Sequence, residues 1–90
     1  MANKRQLKKG INFLCGELMA ETVAITHYQK PVGQQDVDNV MTGILRLQDD
    51  MLNRVSHPEP GMPQKAFYKK LRTDMVHGVD DIVAQINALL

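Results

Sequence analysis

The chain has 90 residues, is 43% hydrophobic and 23% charged, and carries a formal net charge of +1. That profile describes one small globular domain over residues 1–90 and excludes a disordered chain. Its single cysteine, Cys15, excludes an intramolecular disulfide, and no apolar run reaches the roughly 20 residues of a membrane-spanning helix. A cytoplasmic protein without membrane insertion is therefore expected.

The first helix is expected to start after Asn3, acting as N-cap, and to run to about Tyr28 or Gln29, before Pro31. Leu7, Ile11, Leu14, Leu18, Ile25 and Tyr28 recur at intervals compatible with one apolar stripe, with Glu21 in the vacant slot. Residues 30–35, containing Pro31 and Gly33, read as a loop.

A second helix is expected from near Asp36, a good N-cap, and should stop before Ser56. Val37, Val40, Ile44, Leu47 and Met51 form one stripe, and Met41, Leu45, Leu52 and Val55 form another beside it. So wide an apolar face suits a helix with two neighbours. Three prolines in residues 56–63 (Pro58, Pro60 and Pro63) predict a stiff connector.

The third helix is expected to begin with Pro63 in its first turn and to continue through Phe67, Tyr68, Leu71, Met75, Val79, Ile82, Ile86 and Leu89. A second row, Val76, Val79, Val83, Ile86 and Leu90, widens its apolar face and is the candidate self-association surface. No strand-like alternation occurs. The fold class is all-α, an up-down-up three-helix bundle that forms a homodimer through aliphatic helix faces.

That topology gathers nine of the eleven basic residues at one pole, where the first and third helices start and the second ends. They are Lys4, Arg5, Lys8, Lys9, Arg54, Lys65, Lys69, Lys70 and Arg72; set against Glu59 they leave a formal +8 there, and −7 over the remainder. A helix start favours acidic side chains by about 0.3–1 kcal/mol each, so cations at two such starts run against local preference. Lys4, Arg5, Lys8, Lys9, Lys65, Lys69, Lys70 and Arg72 are therefore candidate ligands for a nucleic acid or other polyanion. Long basic side chains also serve solubility, and no phosphate loop, recognition-helix signature or aromatic RNA-binding motif accompanies them.

Catalytic signals are weak. Glu17 and Glu21 are helical neighbours, and Asp74, His77 and Asp81 share one helix, but a di-iron bundle requires two Glu-x-x-His motifs and two further glutamates. Cys15, beside the first stripe, reads as a buried thiol; His27 lies near the negative end of the first helix, His57 reads as exposed in the proline loop and His77 as a flank residue of the third helix, none in a nucleophile motif. No enzyme, metal or cofactor is expected. Met41, Met51 and Met75 fill the core or adapt a groove to a partner helix.

The run from Lys4 to Leu18, KRQLKKGINFLCGEL, resembles the opening of a family of small uncharacterised bacterial all-helical proteins. The resemblance implies a helical fold and supplies no active residues. The expected function is thus a non-enzymatic protein-interaction or structural module. The alternative is an anion- or nucleic-acid-binding accessory protein that uses the basic pole.

Overall fold

The computed structural model describes residues 3–28 and 33–89, which form three helices: α1 (Lys4–Tyr28), α2 (Gln34–Ser56) and α3 (Gln64–Leu89). Helix α2 packs against both neighbours, while α1 and α3 meet only over a short stretch. The starts of α1 and α3 lie at the same end as the last turns of α2, as an up-down-up bundle requires. The molecule is a rod of 49 × 18 × 15 Å. Its radius of gyration is 14.8 Å, against about 12 Å for a compact chain of this length, so it exposes more side surface than a sphere would.

The helix ends follow from local chemistry. Asn3 caps α1: its side-chain Oδ1 accepts the Gln6 backbone N–H at 2.8 Å. Gly33, rather than Asp36, is the N-cap of α2; it is extended (ψ 134°), and its carbonyl accepts the N–H groups of Asp36 and Val37. The cap therefore lies three residues earlier than expected, and Asp36 sits in the first turn, where its carboxylate faces the positive helix terminus. Helix α2 includes Ser56, and His57 closes it by donating its N–H to the Asn53 carbonyl at 2.9 Å.

The connector turns at Glu59–Met62, where the Met62 N–H points to the Glu59 carbonyl at 3.4 Å. Pro60 and Gly61 are the central residues, and Gly61 has a φ of +80°, the combination that a type II turn favours. Pro63 precedes α3 rather than lying within it, and its carbonyl accepts the Phe67 N–H at 2.9 Å.

The core joins Ile11, Cys15, Leu18 and Ile25 of α1 to Val40, Ile44, Met51 and Val55 of α2 and to Leu71, Ile82 and Ile86 of α3. The α1 stripe is rotated from the expected one: Cys15 and the fully buried Thr22 lie on the core line, whereas Leu14 and Glu21 turn outward. Thr22 is buried without penalty because its hydroxyl donates to the Leu18 carbonyl at 2.8 Å. Helix α2 keeps its two-sided face, except that Leu45 is exposed.

Two glycines bring α2 and α3 close together. A Cβ added at Gly78 would come within 2.5 Å of Leu47 Cδ1 and 3.2 Å of its Cδ2, so both methyl groups would have to shift. At Gly43 an added Cβ would lie 3.1 Å from Ile82 Cδ1. Gly16 of α1 has nothing within 4 Å.

Alanine should therefore act in opposite directions at two helical glycines. Gly16→Ala is expected to stabilise by about 0.5–1 kcal/mol through helix propensity alone. At Gly78 the same gain is outweighed by overpacking of about 1–3 kcal/mol, for a net loss of about 1 kcal/mol. Urea midpoints of both variants, compared at one protein concentration, check the contrast.

Candidate functional site

Because α1 and α3 barely meet, an open groove of about 1130 Å³ separates their first halves. Leu7, Ile11 and Leu14 of α1 line one side, Leu71, Met75 and Val76 of α3 line the other, and Met51 of α2 reaches in from between them. Leu14 is 37% exposed and Val76 52%. Seven residues beyond Val76 on the same face of α3, Val83 is 40% exposed, so the apolar strip continues past the groove.

Polar and basic side chains edge this floor: Gln6 from α1, and Gln64, Lys65, Lys69 and Arg72 from α3. Lys65, Lys69 and Arg72 are exposed and lie on one face by their spacing of three, four and seven. Tyr68 also lines the groove, with its ring centroid 5.7 Å from that of the buried Phe67.

The other candidate anion ligands lie at the same pole. Lys4, Arg5, Lys9 and Lys70 are exposed and Lys8 is half-buried; none of the five lines the groove. Arg54 is engaged: its guanidinium meets the Asp74 carboxylate at 2.8 Å, tying the end of α2 to α3. Counting Asp74 with the pole lowers its formal charge from +8 to +7. Both partners of this pair are partly exposed, so it contributes at most about 1 kcal/mol.

Of the candidate self-association row, Val76 and Val83 are exposed, Val79 is half-buried, and Ile86 is buried in the core of its own chain. Ile86 therefore presents almost no surface to a partner, and Leu90 lies outside the described residues. The spacing in the sequence did not separate Val76 and Val83 from Ile86, because all three fit one broad α3 face. Leu14 was the lining residue the sequence misplaced, since its spacing from Ile11 and Leu18 matches a core position.

Among the described residues, no group of three or more His, Cys, Asp and Glu side chains gathers in a metal-binding arrangement. Glu17, Glu21, His77 and Asp81 are exposed, and Asp74 is committed to Arg54. Cys15 is fully buried, and loss of hydration pushes its thiol pKa up. This geometry does not activate a nucleophile. No described helix is long and apolar enough to cross a membrane. Neither family models, curated proteins nor solved structures match the chain.

The raised thiol pKa sets a direction for stability against pH. The unfolded chain loses its thiol proton near pH 9.0 while the folded chain still holds it, so the Cys15 contribution is complete below pH 9 and declines as pH rises toward the folded value. The stability advantage of wild type over Cys15→Ala is expected to shrink above pH 9, as measured by urea unfolding from pH 7 to 10.5. Native Cys15 should also react with a thiol reagent far more slowly than the urea-unfolded chain.

Proposed function

We propose that this chain is a non-enzymatic interaction module that self-associates by covering its α1–α3 groove with a second copy. The observation that carries the reading is the apolar strip of Leu14, Val76 and Val83, left open where α1 and α3 fail to close on each other. Covering these already half-buried side chains is worth about 1 kcal/mol each, or about 6 kcal/mol over two copies. Association costs about 4–15 kcal/mol in lost freedom, so the strip alone offsets only the lower end of that range. Part of the groove floor must be covered as well, and a dimer of micromolar rather than nanomolar affinity is expected.

Val76→Asp places a charge on the strip without touching the core. It is expected to raise the dimer dissociation constant at least tenfold with an unchanged helical circular dichroism spectrum. Leu45→Asp, at an exposed α2 position outside the groove, should leave association unaltered. Sedimentation equilibrium over a concentration series reads both. A wild type that stays monomeric at hundreds of micromolar sinks the reading.

A second reading, capture of a polyanion by the basic pole, is favoured by the alignment of Lys65, Lys69 and Arg72 along one groove edge with Lys4, Arg5 and Lys9 exposed at the same end. It predicts heparin retention that weakens steeply with salt and is lost on replacing Lys4, Lys8, Lys65 and Lys69 together with Gln. Unchanged retention in the quadruple variant would count against the pole.

A further inference from the structure

We propose that the second copy lies antiparallel across the α1–α3 face, so that the cationic half of each groove meets the acidic half of the other. This rests on the self-association reading above and adds its orientation. The face is polarised along its length. Before the apolar centre stand Lys65, Lys69 and Arg72, all exposed. Beyond it stand Glu17 and Glu21, three and seven residues after Leu14 on α1, and Asp80, four residues after Val76 on α3; these too are exposed.

A two-fold axis perpendicular to the rods and passing near Val76 gives the pairing. Arg72, four residues before Val76, falls at the level of Asp80 of the second copy, four residues after it. By the same rotation Lys69, seven residues before Val76, falls about 10 Å from the axis at the level of the second copy's Val83 on α3, at the half of the face that carries the second copy's Glu21 on the neighbouring α1. A parallel pair would instead set the cationic half of each face against the cationic half of the other, and the acidic half against the acidic half. Apolar cover gives both arrangements the same attraction, and like-charge opposition rejects the parallel one.

A long side of the rod measures 49 by 18 Å, or about 880 Å², and a standard interface takes about 800 Å² from each partner. An interface of that size therefore draws on much of the rod's length. A short overlap at the basic pole alone does not supply it.

The test is a charge swap read by sedimentation. Lys69→Glu with Arg72→Glu in one protein, and Glu21→Lys with Asp80→Lys in another, should each dimerise at least tenfold more weakly than wild type. Mixed in equal amounts, they should form a heterodimer at least as tight as the wild-type dimer, because both cross-contacts become attractive again. Two weak variants that do not rescue each other would overturn the pairing.

Orientation is read separately with spin labels on Lys4→Cys in a Cys15→Ala background. Antiparallel copies hold the labels about 35 Å apart, whereas parallel copies hold them within about 15–20 Å. A dimer with close labels overturns the antiparallel arrangement and leaves self-association standing. A monomeric wild type removes both, and a monomer retained on heparin assigns the basic edge to a polyanion instead.

Discussion

Burial of α2 on two sides is the contact from which the remaining geometry follows. Val40, Ile44, Met51 and Val55 of α2 share one core cluster with apolar residues of α1 and α3, and α2 packs against both helices. Gly78 and Gly43 tighten the α3 side by removing side-chain bulk where Leu47 and Ile82 approach. α1 and α3 each pack on α2, and along their first halves they stay apart, so apolar side chains on both remain uncovered. The groove is thus a product of how the middle helix divides its contacts, rather than a defect in packing.

Charge placement acts on a different link of the chain from sequence to function. Cations at the starts of α1 and α3 oppose the helix dipole, a cost of a few tenths of a kcal/mol to about 1 kcal/mol at each well-placed position. Only Arg54 at that end recovers some of this within the described residues, through Asp74. The fold therefore carries an electrostatic strain that is small against its apolar core. In the dimer we propose, attraction comes from the strip of Leu14, Val76 and Val83, and discrimination from the charges around it.

The number, order and approximate limits of the helices were legible because three- and four-residue apolar spacing persists through each segment. The Asn3 cap was legible as well, since a short polar side chain there can take a free N–H. Two boundaries moved for local reasons: Gly33 caps α2 through its backbone without a side-chain bond, and Pro63 ends the connector by offering its carbonyl. The α1 register was harder. The series 7, 11, 14, 18 and the series 11, 15, 18, 22, 25 share the same spacing, and the second runs through Cys15 and Thr22, which an apolar count undervalues. Thr22 reaches the core because it bonds to its own helix, a pairing that spacing alone does not reveal. The basic pole was readable once the topology was, but the groove was not. It depends on the distance between two helices that are far apart in sequence.

Sequential packing has a consequence for the route by which the chain folds. The main partners are neighbours along the chain, α1 with α2 and α2 with α3, while the pairing with the longest loop to close, α1 with α3, is the weakest. Loop-closure entropy is therefore met mostly by two helical hairpins that share one arm. A protein of such low relative contact order belongs among those that fold in microseconds to milliseconds. Either hairpin offers a starting nucleus, and the closing of α1 on α3, the weakest interhelical contact, comes last.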